Sequence, residues 1–196
     1  SIRALRSADK RALVERVKDV ARGAALMTGC QVEMKLFSAV SENLVNETMD
    51  RAMQAVLDDI GGVPFDAADR AYARAIQATL GPEDLVPPWR IIAEKPRADT
   101  PLCDWVVPFR PGGAVMVGST DVGDVTWAVP TTEVLISTLA IGTPGHSWQV
   151  TAQGKSPAAH KGMTHAAKAM AHCAQMLFAD PALLAEAKAE HARRLA

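Results

Sequence analysis

Apolar and polar residues change their period several times along the chain, and each change predicts an element. Residues 2–6 alternate apolar and basic side chains, a short strand pattern. Ser7 then offers an N-cap oxygen to a run of helical spacing from Ala8 to about Thr28. Leu13, Val14, Val17, Val20, Ala21, Ala24 and Met27 form one apolar stripe of that helix, with Glu15, Arg16, Lys18 and Arg22 off it, and Gly29 ends it. Val32, Met34 and Leu36 alternate with Gln31, Glu33 and Lys35, the period of a strand with one wet face. The opening segment therefore reads strand, helix, strand, and two strands alone make a poor sheet.

Beyond a polar joint at residues 38–43, Asn46 caps a helix in which Met49, Met53, Val56, Leu57 and Ile60 keep helical spacing until Gly61-Gly62 stop it. A second helix follows Asp66, with Tyr72, Ala75, Ile76 and Leu80 inward, and Gly81-Pro82 closes it. Residues 83–111 hold six of the 12 prolines and two of the 4 tryptophans without a clear period, so they read as a long connection with one short strand at 105–107. The apolar runs 114–117 and 134–141, bounded by Gly113, Gly118 and Gly142, suit buried strands. Residues 161–178 form a helix with Met163, Ala167, Met170, Ala174 and Leu177 on one side, and Pro181 opens a final polar helix. The succession predicts an α/β fold.

Composition narrows the class. The chain has 196 residues, 48% hydrophobic and 22% charged, with a net charge of −1, as expected of a soluble chain of one or two domains. Its longest apolar runs fall well short of the roughly 20 residues a membrane helix needs. It has no Lys/Arg-rich block and only 5% aromatic residues, so it lacks the footprint of a nucleic-acid binder. Cys30, Cys103 and Cys173 form no C-x-x-C pair, which argues against a disulfide framework or zinc ribbon and predicts a cytoplasmic protein. The chain opens Ser1-Ile2-Arg3 without Met or a signal-peptide pattern, so a processed or truncated start is expected.

Two loops follow predicted strands, where open α/β sheets place ligands. In Gly118-Ser119-Thr120-Asp121-Val122-Gly123-Asp124 the glycines admit a ligand to the backbone and the hydroxyls donate hydrogen bonds. Asp121 and Asp124 would share one face if a helical turn starts there. The same residues also read as a hydroxyl cap with acidic residues at a helix start. In Gly142-Thr143-Pro144-Gly145-His146-Ser147-Trp148 a histidine sits in a rigid turn, suited to a metal ligand or general base, or simply to a surface strand end. His160 stands out less. His165 and His172 lie about 10 Å apart along a helix, too far to share one ion. His191 lies among Glu186, Lys188, Glu190 and Arg193 on what reads as a solvated face. A catalytic zinc site needs about three protein ligands and an open position. The sequence has no H-x-H, H-E-x-x-H or Cys/His cluster, so partners for His146 must come from distant acidic residues or from polypeptide outside the chain.

Four segments carry a resemblance: Ala21-Arg22-Gly23-Ala24-Ala25-Leu26-Met27-Thr28-Gly29, Gly118 through Val125, Ala140-Ile141-Gly142-Thr143-Pro144-Gly145-His146, and His160-Lys161-Gly162-Met163. In this order they resemble the C-terminal part of the aminobenzoyl-glutamate hydrolase B-type amidohydrolases, of the dinuclear-zinc aminoacylase and glutamate carboxypeptidase superfamily. The resemblance implies that residues 1–38 are the second half of a small α/β lid that also makes a homodimer contact. Residues 39–196 would then be the C-terminal part of a metallopeptidase-type catalytic α/β domain, with 83–111 as a Pro-rich insertion. It implies two zinc or manganese ions, with His146 as the one metal ligand in this range. The general-base Glu is expected in a missing N-terminal segment, so no catalytic residue lies in this chain.

By the same resemblance the Gly118, Ser119 and Thr120 turn faces the substrate carboxylate, with Asp121 and Asp124 standing behind it. Arg6, or alternatively Arg3, clamps that carboxylate with its guanidinium fork. The expected function is metal-dependent cleavage of an N-acyl or N-aroyl amino acid amide such as p-aminobenzoyl-glutamate, with the isolated chain inactive. A non-enzymatic α/β binding or dimerisation module for a small carboxylate is the alternative, and His146 as a metal-free general base is a third.

Overall fold

The computed structural model describes residues 1–112 and 118–196. Among them the chain forms helices α1 Ser7–Thr28, α2 Glu47–Ile60, α3 Ala67–Gln77, α4 Pro82–Leu85, α5 Pro87–Ile91, α6 Val122–Ala128, α7 Trp148–Gln153, α8 Pro157–Ala179 and α9 Pro181–Leu195. No strand occurs among the described residues. This overturns the expected α/β class: the described chain is helical. A strand exists only through a ladder of hydrogen bonds with a neighbour, and the segments 2–6, 31–36, 105–107 and 134–141 form no ladder. In the last of these, Val134 packs on one core cluster and Ile136 on another, Leu135 points out at 76% exposure, and Ile141 N donates to Pro101 O at 2.8 Å. The predicted strand 114–117 lies outside the described residues.

The helix ends follow local chemistry. Asn46 accepts from Met49 N, Asp66 and Asp69 form a reciprocal capping box, and Ser156 and Asp180 cap α8 and α9 ahead of Pro157 and Pro181. Gly29 closes α1 in the left-handed region. At the other end of α1 the expected cap differs. Arg6 is the capping position without a side-chain bond, while the Ser7 amide and hydroxyl both donate to Glu42.

Two apolar clusters hold the body together. Val63, Phe65, Ala73, Ile76, Leu102, Ala140 and Ala158 make one; Met53, Val56, Ala169 and Cys173 make the other, where α2 meets α8. The buried face of α8 is not the predicted methionine stripe. Ala158, Ala159, Gly162, His165, Ala169 and Cys173 face inward, while Met163 and Met170 are exposed. Small residues let the helix sit close to its neighbours: the Gly162 Cα rests against Ser137 O, where any Cβ would collide. In α3, Ala73 and Ile76 are buried while Tyr72 reaches out to donate to Ala152 O.

His191, expected on a solvated face of α9, is instead buried and hydrogen-bonded through Nε2 to Thr126 O at 2.8 Å. Glu190 beside it binds the first amides of α2. The 83–111 segment also has order of its own: the Trp89 and Trp105 rings stack at 5.8 Å and the Arg97 guanidinium lies 3.9 Å over Trp105. By contrast α1 buries no residue at all.

Candidate functional site

The turn from Ala140 to Ser147 is held by backbone and side-chain hydrogen bonds together. Ala140 O accepts from the Thr143 amide at 3.1 Å and its hydroxyl at 2.7 Å. Ile141 is fastened on both sides, its N–H to Pro101 O and its carbonyl to Gln77 Nε2 at 3.0 Å. Gly142 adopts φ +95°, open to glycine, and backs onto Leu85 and the Asp84 carbonyl, where a Cβ would lie 2.7 Å and 3.2 Å away. The next bond is Ser147 Oγ to Pro144 O at 2.7 Å, and the same hydroxyl caps α7. Between these anchors His146 stands exposed with φ +60°, a conformation uncommon outside glycine. A fixed backbone thus presents an imidazole to the surface.

The second turn lies at the start of α6. Its Ser119 hydroxyl accepts from Arg3 Nη1 at 2.8 Å, which joins two residues 116 positions apart. Thr120 Oγ1 accepts from Val122 N at 3.2 Å, a local side-chain turn just ahead of α6. Gly118, Ser119, Thr120 and Asp121 are exposed. Asp124 turns away from them and accepts from Ser41 N at 3.1 Å, and that bond holds its carboxyl below the usual carboxylate range. Arg6 points elsewhere: Nε and Nη2 donate to Asp9 at 2.9 Å and 3.3 Å, and Asp9 raises the guanidinium pKa further. Arg3 and Ser119 are therefore brought together, while Arg6 is engaged within its own helical turn.

Two of the other histidines have structural partners. His165 Nε2 bonds to Gly61 O at 2.9 Å and His191 to Thr126 O, both in buried positions. Glu190, expected on the solvated face of α9, is buried, and so is Gln153, which the sequence did not single out. Neither lies in a motif, and only the fold reveals what each polar side chain meets.

A neutral imidazole is a good donor for zinc or manganese, and exposed His146 fits the part of one such ligand. No group of three His, Cys, Asp or Glu converges among the described residues, so they do not make a complete centre. No helix is long and apolar enough to cross a membrane among the described residues.

Compared with known proteins, the chain is 38% identical over 200 residues, 97% of its length, to a p-aminobenzoyl-glutamate hydrolase subunit, of the B type, from Escherichia coli (strain K12). It spans 42% of that protein's length. No family model and no solved structure matches. The resemblance to B-type aminobenzoyl-glutamate hydrolases drawn from the four segments is thus borne out, while the wider superfamily is not reached by these comparisons.

Proposed function

We propose that this aminobenzoyl-glutamate hydrolase-like chain is part of a metal-dependent amidohydrolase acting on an N-acyl or N-aroyl amino acid, with p-aminobenzoyl-glutamate as the leading substrate. The observation that carries the reading is the similarity over 97% of the chain to a hydrolase whose name states that substrate. Because the chain spans 42% of that relative, the general base and the remaining metal ligands are assigned to polypeptide outside it.

In this reading His146 holds one of two divalent ions, zinc or manganese, through a neutral ring nitrogen. When bound, such ions polarise an amide carbonyl and acidify a water. The rest of the chain's part is positioning. Gly118 leaves room for a carboxylate, and the Ser119 and Thr120 hydroxyls and a guanidinium supply donors to it. We favour Arg3 for that guanidinium because it already donates to Ser119; Arg6, held by Asp9, is the alternative. Residues 1–38 serve as the lid segment and residues 39–196 as the body. The exposure of Leu26, Met27, Leu36 and Phe37 supports a homodimer contact through the lid. Three free cysteines favour a reducing, cytoplasmic setting.

The test is hydrolysis of p-aminobenzoyl-glutamate with added zinc or manganese, by the chain alone and by the chain joined to the upstream polypeptide of its enzyme. The expected result is no turnover by the chain alone, and metal-dependent turnover by the joined protein that His146→Ala lowers at least about a hundredfold by removing a ligand. Turnover that survives chelation would favour His146 as a metal-free base. Carboxylate binding without turnover in either form would favour a binding module.

A further inference from the structure

Gln153, the last residue of α7, is 2% exposed, and its side-chain amide joins the turn that carries His146 to its own helix. Its Oε1 accepts from Ala140 N at 2.7 Å. Its Nε2 donates to Thr143 Oγ1 at 3.0 Å and to Gln149 O at 3.0 Å, which uses both N–H bonds. The directions are mutually consistent: the Thr143 hydroxyl donates to Ala140 O and so has a lone pair left for Nε2. One side chain therefore ties both ends of the Ala140–Thr143 turn to the helix whose cap, Ser147, follows His146 directly. A buried amide with every group paired rigidifies what it joins, and no apolar residue of that size can replace it without orphaning Ala140 N–H.

We infer that Gln153 is a positioning residue for His146. It fixes the backbone that orients the imidazole, and it does so without touching the ring. The inference rests on the reading of His146 as a metal ligand, and it assigns to this chain the support that a ligand needs to stay within about 0.5 Å of its working place.

The test compares Gln153→Met, Thr143→Val and His146→Ala with the unaltered sequence. Amide exchange at Ala140 is measured in the 196-residue chain, and zinc affinity in the longer enzyme proposed above, with circular dichroism as a check of folding. Gln153→Met is expected to speed Ala140 exchange and to weaken zinc binding about tenfold, as loss of a supporting bond behind a ligand does. Thr143→Val should shift both in the same direction by less. If His146→Ala leaves zinc affinity unchanged, the ligand reading falls and the inference with it. If His146→Ala weakens zinc binding while Gln153→Met, folded, matches the unaltered protein in both readouts, the inference is overturned and the ligand reading stands. Should Gln153→Met fail to fold, Thr143→Val decides: unaltered exchange and affinity in that variant also overturn it.

Discussion

Single residues in this chain are decided by what lies against them, and two cases show opposing effects of calculable size. In the interior of a helix such as α8, replacing Gly162 by Ala gains about 1 kcal/mol in propensity. Here the new Cβ would strike Ser137 O and lie 2.7 Å from Thr138 Cγ2. Clash outweighs propensity, so Gly162→Ala should lower stability by about 1–3 kcal/mol in denaturant unfolding, and a stabilised variant would refute the close contact. Glu190 shows the second balance. Burial pushes its carboxyl up, but the Thr48 and Glu47 amides, the Thr48 hydroxyl and Arg194 outweigh it and hold the pKa at about 2, below the usual 4.5. The folded value is the lower one, so the stabilisation is full above pH 4.5 and lost as pH falls through about 2. Glu190→Ala should cost about 1–3 kcal/mol at neutral pH, since it removes the acceptor of two half-buried amides at the start of α2 and leaves Arg194 with Glu47 alone. That difference should shrink between pH 4.5 and 2, as urea titrations at stepped pH will report; a difference constant across that window would contradict the assignment. His146 and Gly142 were legible in the sequence because a Pro/Gly turn is a local signal. Gln153 and Glu190 were not, because a polar residue's partner is a property of the fold.

Elements divide into those that pack and one that does not. α2, α8 and α9 contact one another; the bounds of α2 and the start of α9 could be read in advance from Asn46, Gly61 and Pro181, whereas α8 starts at Pro157 behind the Ser156 cap, a turn ahead of the expected residue 161. Caps are local chemistry, so they survive any error about the fold. Faces and strands are not local. The methionine stripe of α8 has helical spacing as good as that of the alanine face, but only the latter is narrow enough to meet its neighbours closely. Likewise Val32, Met34 and Leu36 alternate correctly, yet alternation cannot supply the second strand that hydrogen bonding requires. α1 is the extreme case. It runs for 22 residues with none buried, and among the described residues it is tied near its start by Ser7 to Glu42, by Lys10 to Val40 O and, through the segment before it, by Arg3 to Ser119. Most helical stability in proteins comes from packing of an amphipathic face, which α1 lacks. At a dilution where the chain is monomeric, amide exchange should therefore show the last two turns of α1 nearly unprotected while the amides around Ala169 and Cys173 in α8 exchange slowly; equal protection there would mean that α1 has a packing partner within the chain.

For the molecule as a whole, the described core is held by apolar packing and buried hydrogen bonds, and no set of three metal-binding side chains converges in it. A chelator should thus leave the thermal midpoint of the chain within about 1 °C, whereas a structural metal would link its stability to the ion and shift it by several degrees. The caps at Asn46, Asp66 and Pro181, the rigid turn bearing His146 and the family resemblance carried by four motifs were settled in the sequence, because each of these is written in contiguous residues. Packing in three dimensions settled the rest: which helix faces are buried, that the predicted strands in the described residues go without ladders, that Arg3 rather than Arg6 meets Ser119, and that Gln153 underlies the His146 turn. Those outcomes depend on contacts between residues far apart in the chain, and a contact of that kind has no period, spacing or composition by which a sequence can announce it.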